Sequence, residues 1–301
     1  MAGSETKSLS RWQIWLLAAR PKTLPAAASG VITGTALAWH DGHFRLGPAL
    51  AALGVALLLQ IGSNLANDVF DFERGADTTD RQGPMRVTQA RLLTPTQVKI
   101  GMGAVFAAAA LLGLYLASVS SWNVIWLGVA AILSAVAYTG GPFPLGYYGL
   151  GDLFVFVFFG LAAVAGTYYV QAGSVSVAAW WMSVPIGLIV TAILIVNNLR
   201  DIATDRAAGK KTTAVRLGVK GARVEYVLCL AMAYLVLPVL IWRGVLPLWA
   251  LLAWGSLWVA WGALQVVLRQ EGRALNAALA GTGQIALTYS LLFFAGLLFA
   301  G

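Results

Sequence analysis

The chain has 301 residues, 59% of them apolar, and a mean hydropathy of +0.77. A soluble domain is about half apolar, so composition excludes a water-soluble globular fold and indicates a polytopic membrane protein. The net charge of +8 follows from Lys and Arg gathered on one side of a bilayer, together with attraction to anionic membrane lipid, so nucleic-acid binding is not invoked.

Taken in chain order, residues 1–10 form a polar tail without a cleavable signal pattern, and the first span is expected to remain in the mature protein. Trp12 to Arg20 places Trp12, Trp15, Leu16 and Ala19 on one helical side, with Arg11 and Arg20 at the ends. That pattern predicts a short helix lying in the membrane interface. Apolar runs follow at about 24–39, 46–67, 99–120, 122–138, 152–172, 178–199, 223–242, 245–268 and 276–300. Most approach the ~20 residues that cross the hydrocarbon core as a helix. The ~10-residue alternating segments of a β-barrel are absent. The predicted fold is all-α, with nine transmembrane helices in one domain spanning residues 1–301.

Basic residues orient it, because Lys and Arg accumulate on the cytoplasmic side. With the N-terminus inside, eighteen basic residues are cytoplasmic and only Arg45 and Arg243 lie outside. The C-terminus is then outside, in the plasma membrane. The lone cysteine, Cys229, excludes a disulfide within the chain and a cysteine metal site, and reads as a small packing residue.

Two loops carry dense charge, Asp68 to Thr96 and Arg200 to Lys220, both on the predicted cytoplasmic side. Five of the twelve acidic residues fall between Asp68 and Asp80. If the second span continues as a helix, Asn64, Asn67, Asp68 and Asp71 form one polar stripe emerging from the bilayer. The second motif runs Asn197-Asn198-Leu-Arg200-Asp201-Ile-Ala-Thr-Asp205, with Asn197, Asp201 and Asp205 again four apart. Asn67, Asp68 and Asp71 stand 130 residues before Asn197, Asn198 and Asp201. That offset predicts an internal duplication and a pseudo-symmetric bundle around a central cavity.

Magnesium takes hard oxygen ligands, joining a few carboxylates to substrate phosphate oxygens and water. Two facing acidic stripes suit two magnesium ions bridging one diphosphate. The plainer reading is a solvated helix end balanced by Arg74, Arg81, Arg86 and Arg206. Against it, the asparagines and aspartates reach into apolar spans, where polar groups are expensive and usually functional. Nearby Arg20, Lys22, Arg74, Arg81, Arg86, Lys210 and Lys211 are candidates for diphosphate oxygens, with charge balance or lipid contact as the alternative for each. The glycine- and proline-rich segment from Tyr138 to Asp152 carries no Lys or Arg. It reads either as a turn with Asp152 capping the next helix or as a loop roofing the cavity with Tyr138. Aromatics such as Phe154 and Phe158 suit a prenyl tunnel or plain membrane packing.

On these residues the chain resembles the UbiA-type intramembrane prenyltransferases, which carry two Asp-rich motifs on nine transmembrane helices. Within that superfamily, the segments Ala19 to Pro25, Gly83 to Gln89, and Asn197 through Lys211 to Gly218 resemble the 1,4-dihydroxy-2-naphthoate prenyltransferases of menaquinone biosynthesis. The resemblance implies transfer of a polyprenyl chain from its diphosphate to 1,4-dihydroxy-2-naphthoate, with loss of CO2 and diphosphate. It implies Mg2+ held by Asn64, Asp68, Asp71, Asp77, Asp201 and Asp205, of which Asp68, Asp71, Asp201 and Asp205 are the catalytic acids. Arg20, Lys22, Asn67, Arg74, Arg81, Arg86, Tyr138, Asn197, Asn198 and Lys210 are then the substrate-binding candidates. One departure concerns Asp77: five residues separate it from Asp71, where the family pattern has three. Other acceptors on the same fold (4-hydroxybenzoate, homogentisate, a phosphosugar) and a cation-coupled transporter remain competing readings, although transport sites lie near the bilayer midplane.

Overall fold

The computed structural model describes residues 9–76 and 82–300, and every regular element among them is helical. Helix α1 (Arg11–Ala19) begins at a reciprocal cap: Ser10 Oγ accepts from the Gln13 N–H, and the Gln13 side chain accepts from the Ser10 N–H. It ends at Arg20, which is left-handed at φ 51°, and Pro21 prevents its continuation. A 3-10 turn over Pro21–Thr23 leads into α2 (Leu24–His40).

Helix α3 (Leu46–Glu73) has 28 residues. At 1.5 Å per residue it is about 42 Å long, more than the ~30 Å hydrocarbon core. The helix is therefore longer than the apolar slab, and its last two turns carry Asn67, Asp68 and Asp71. Thr94 and Gln97 cap α4 (Pro95–Val119) reciprocally, with proline at the first helical position. Helix α5 (Val124–Ala137) stops before the Gly140-Gly141-Pro142 turn. After a 3-10 turn at Leu145–Tyr148, α6 (Gly151–Val155) passes through a π-helical stretch, Phe156–Ala165, into α7 (Gly166–Ala172).

Ser176 caps α8 (Val177–Arg200), and the short α9 (Ile202–Ala207) follows directly. Helix α10 (Thr213–Trp242) is capped by Thr212 and broken at Gly218, whose φ of 72° favours glycine. A 3-10 stretch at Leu248–Ser256 leads into α11 (Leu257–Arg269), and α12 (Leu275–Leu298) closes the bundle.

Seven helical stretches among the described residues are long and apolar enough to cross a membrane. The chain is thus a multi-pass membrane protein. The remaining two of the nine predicted runs are shorter: 24–39 forms the 17-residue α2 and 122–138 the 14-residue α5. The first keeps its expected extent and ends before the turn at Gly42, while the second is trimmed from its expected bounds ahead of the turn at Gly140.

Helix α8 is the central element, with 67% of its apolar window buried against α10, α12 and the π stretch. Glycines permit that approach: a methyl on Gly160 would stand 2.6 Å from the Ser183 carbonyl oxygen and 2.8 Å from Gly187 Cα. Small residues at such crossings let membrane helices pack by close backbone contact.

Candidate active site

A cavity of about 430 Å³ lies between α2, α3, α5, the π stretch and α8. Most of its wall is apolar, including Val31, Ala56, Leu127, Phe154, Phe158 and Val170. One end is densely polar and is built where α3 and α8 finish. The arrangement fits a molecule with a charged head and a long apolar tail.

On α3, Asp71 is the hub. Its Oδ2 accepts from Arg86 Nη2 at 2.6 Å, and its Oδ1 accepts from the Tyr147 hydroxyl at 2.7 Å and lies 3.7 Å from Lys210 Nζ. Asn67 and Asn64 lie one and two turns up the same face. Asn64 Nδ2 donates to the Ala19 carbonyl and to Thr23 Oγ1, both at 2.9 Å, which fastens the Arg20–Thr23 turn to α3. Asn67 Oδ1 accepts from Thr139 Oγ1 at 3.0 Å.

Asp68 behaves differently. Its carboxylate accepts the backbone N–H groups of Val87 and Thr88 at 3.1 and 3.0 Å, and it is not part of the cavity lining. The reason is rotation. On a helix Asp68 sits about 40° around from Asn64, whereas Asp71 returns to within about 20° of it, and the 82–94 segment covers the side on which Asp68 falls. The expected stripe thus narrows to Asn64, Asn67 and Asp71. Asp68→Ala would strand two buried N–H groups, an expected loss of about 1–3 kcal/mol, readable as a lowered unfolding temperature in detergent.

On α8 the helix ends at Arg200, and Asp201 caps it before α9 restarts. The Asp201 and Asp205 amides still bond to the carbonyls four residues back, at 3.1 and 2.8 Å, so the expected spacing survives the break. Asp201 is gripped by Arg200, through Nε at 2.9 Å and Nη2 at 2.5 Å. Asp205 lies 3.3 Å from Lys210 Nζ. Burial pushes the Asp205 carboxyl above the usual carboxylate range, opposed by Lys210 and reinforced by Asp201.

The loop from Tyr138 to Leu150 covers the polar end. Tyr138, Thr139, Gly146 and Tyr147 line the cavity. The Tyr147 carbonyl accepts from the Lys211 N–H at 2.7 Å, tying the loop to the second motif. The Lys210 ammonium sits 4.6 Å from the Tyr147 ring centre, a cation–π contact. Burial and the Asp71 charge push the Tyr147 phenol well above its usual value, so it remains a donor. Asp152 lies inside the first turn of α6, which has no side-chain cap, so the expected capping role is not seen; it accepts from Thr213 Oγ1 at 2.5 Å, tying α6 to the start of α10, and stays out of the lining.

Whether this end suits a divalent ion is answered by Lys210. Its ammonium stands between Asp71 and Asp205, one carboxylate from each motif, so the two already share a cation. No group of three or more His, Cys, Asp or Glu is close enough to hold a metal among the described residues. Two carboxylates with amide oxygens, completed by phosphate oxygens and water, make a donor set that fits magnesium rather than a transition metal.

The cavity thus brings together Arg20, Lys22, Asn64, Asn67, Asp71, Arg86, Tyr138, Asn197, Asn198, Asp201, Asp205 and Lys210. Arg74 is elsewhere: its Nε donates to the Thr139 carbonyl at 3.0 Å and its Nη2 to the Gly141 carbonyl, so it holds the covering loop. Asp77 and Arg81 lie outside the described residues. Sequence reasoning missed Tyr147, Arg200 and Thr23 as working parts. Only the position of Arg200 beside Asp201 hinted at its role.

The UbiA prenyltransferase family model matches residues 27–282. The chain is 45% identical over 236 residues to the 1,4-dihydroxy-2-naphthoate octaprenyltransferase of Escherichia coli, covering 76% of each chain. It is 37% identical to the enzyme of that name from Haemophilus influenzae, over 95% of this chain and 96% of the other. A UbiA homolog from Archaeoglobus fulgidus, solved bound to GPP and Mg2+, shares the fold with a TM-score of 0.67 at 16% identity, over 94% of this chain and 99% of that one. A bundle with two acidic helix ends at the polar end of an apolar cavity, matched by that family model over most of its length, belongs to the UbiA prenyltransferase family.

Proposed function

We propose that this aromatic prenyltransferase moves a polyprenyl group from polyprenyl diphosphate to 1,4-dihydroxy-2-naphthoate, releasing diphosphate and CO2 and giving demethylmenaquinone in its hydroquinone form, demethylmenaquinol. The observation that carries the reading is the pairing of Asp71 and Asp205 around one cation at the head of an apolar cavity. Relatives named for that reaction support the acceptor.

Asp71, Asp201 and Asp205, with the amide oxygens of Asn64, Asn67, Asn197 and Asn198, are the residues that would hold Mg2+, with room in this donor set for two ions. When bound, the metal supplies neutralisation of the charge that builds on the leaving diphosphate. Arg20, Lys22 and Lys210 face the remaining phosphate oxygens. The allylic C–O bond breaks with its electron pair leaving on the diphosphate. The ring carbon bearing the carboxylate then forms the new C–C bond, and loss of CO2 returns an electron pair to the ring. The loop carrying Tyr138 and Tyr147 excludes water that would otherwise quench the allylic cation, while Phe154 and Phe158 line the cavity as aromatic groups able to stabilise it.

The same reading places the enzyme in the plasma membrane. The seven long helices together with α2 and α5 make nine crossings in a pseudo-symmetric bundle, and α1 lies in the interface, with Trp12 75% exposed. N-terminus and active site are cytoplasmic and the C-terminus is outside.

Purified enzyme with a labelled allylic diphosphate is expected to prenylate 1,4-dihydroxy-2-naphthoate and release CO2 in step, and a chelator is expected to reduce the rate to background. Product with 4-hydroxybenzoate and none with the naphthoate would retain the chemistry and discard the acceptor. The raised Asp205 carboxyl adds a pH signature. Protons compete with metal at that oxygen pair, so Mn2+ affinity should fall as pH drops through the elevated value, at a higher pH than for an ordinary carboxylate. Asp205→Asn should remove the shift.

A further inference from the structure

The two acidic motifs share more than their aspartates. In the first, Arg86 Nη2 donates to Asp71 Oδ2 at 2.6 Å while its Nη1 donates to the Asn67 carbonyl. In the second, Arg200 grips both Asp201 oxygens, and its Nη2 also donates to Asn197 Oδ1 at 2.8 Å. Asn67 and Asp71 correspond to Asn197 and Asp201 at the 130-residue offset. Each motif is therefore a carboxylate, the asparagine one turn before it, and one guanidinium touching both. The two arginines come from different places in the chain. Arg200 is the residue before its aspartate, whereas Arg86 arrives from a loop 15 residues downstream. Both are buried, with side chains 1% and 7% exposed.

We propose that Arg86 and Arg200 are paired positioning residues, each fixing the carboxylate of its own motif for the metal and acting through Asp71 and Asp201 rather than on the diphosphate. This rests on the reading of those aspartates as metal-binding and departs from the sequence expectation that Arg86 binds diphosphate. Arg200 supports it most directly, because it is absent from the cavity lining while gripping an aspartate that is present. Its remaining fork arm, Nη1, donates to Asn276 Oδ1 at 2.8 Å, and Asn276 Nδ2 donates to the Gln82 carbonyl at 3.1 Å. The start of α12 and the segment that delivers Arg86 are thereby braced against the second motif. A guanidinium can hold a carboxylate and a neighbouring oxygen at fixed angles, while an ammonium is a point charge on a flexible stem. Lysine at either position preserves the charge and loses the angle.

The test uses full-length protein in detergent, with Mn2+ as the metal probe read by electron paramagnetic resonance and a thiolo analogue of geranyl diphosphate as the ligand. With analogue saturating, Arg86→Lys and Arg200→Lys are each expected to weaken Mn2+ binding by about ten-fold, the scale on which partners of metal ligands act. With Mn2+ saturating, analogue affinity should be unchanged. Unchanged Mn2+ affinity alongside weakened analogue binding would overturn the proposal and make the arginines diphosphate ligands. Unchanged values for both would overturn it too. Asp71→Asn separates the levels: if that variant also keeps full Mn2+ affinity, the metal reading itself fails, whereas loss of Mn2+ in Asp71→Asn alone defeats only the arginine proposal. Thermal unfolding of each variant identifies a misfolded protein, and the more accessible Arg86→Lys carries the test if Arg200→Lys does not fold.

Discussion

Asp71→Asn is expected to lower the rate of prenyl transfer by on the order of 10²–10³-fold, the range set by losing one preorganised contact to developing charge. The substitution keeps the shape and removes only the charge. The Arg86 guanidinium at 2.6 Å then loses its carboxylate, and the Lys210 ammonium at 3.7 Å is left with Asp205 alone, while the amide oxygen can still accept from the Tyr147 hydroxyl. Breaking one side of a buried ion pair costs about 3–5 kcal/mol because the remaining charge is stranded, so the unfolding temperature should fall as well. Initial rates at saturating magnesium, beside a thermal melt, read both effects. If the variant lost stability but kept its rate, Asp71 would be a structural anchor, and the catalytic burden would shift to Asp205 and Asp201.

Gly160→Val should be among the most damaging substitutions remote from the polar end, at about 3 kcal/mol, the upper part of the range for overpacking a tight interface. The new side chain would meet backbone, the Ser183 carbonyl and Gly187 Cα, and neither can swing aside. Relief requires the π stretch to move off α8. Phe158 and Phe159, which line the cavity next to this contact, would move with it, so activity should fall along with the unfolding temperature. Gly113→Ala is the contrasting case, since a methyl there has no neighbour within 4 Å. It should be neutral or slightly stabilising, because alanine favours helix over glycine by about 1 kcal/mol. Equal losses at both positions would mean that backbone flexibility, not close packing, is what these glycines provide.

Much of this was legible in the sequence, and what was hidden has identifiable physical causes. Apolar length marked the spans, and oxygen-bearing side chains at helical spacing marked both motifs, since spacing along a helix fixes direction. Spacing alone does not set direction where a neighbouring segment does. Asp68 shares the spacing of Asp71, yet the N–H groups of Val87 and Thr88 claim it from the side. Arg74 sits beside the acids in sequence and reaches instead for the carbonyls of Thr139 and Gly141. Tyr147 enters the site on a loop held by the Lys211 N–H and by Arg74, both distant in sequence. The π stretch is equally invisible to periodicity, because Phe156–Ala165 is apolar on every side.

Lys210 and its two carboxylates have one more consequence. Among the described residues, every acid in the cavity wall has its own cation: Asp71 has Arg86, Asp201 has Arg200 and Asp205 has Lys210. At rest these pairs leave no unmatched negative charge to attract a bare divalent ion out of water. On the proposed reading, a diphosphate that drew Lys210 toward its own oxygens would leave Asp205 without its ion-pair partner and Asp71 with Arg86 alone, opening both to a metal. Prenyl donor and metal should therefore load together, each raising the other's affinity by the same factor. An enzyme waiting in the membrane without its lipid substrate would then stay metal-poor and idle, with its switch thrown by the arriving donor.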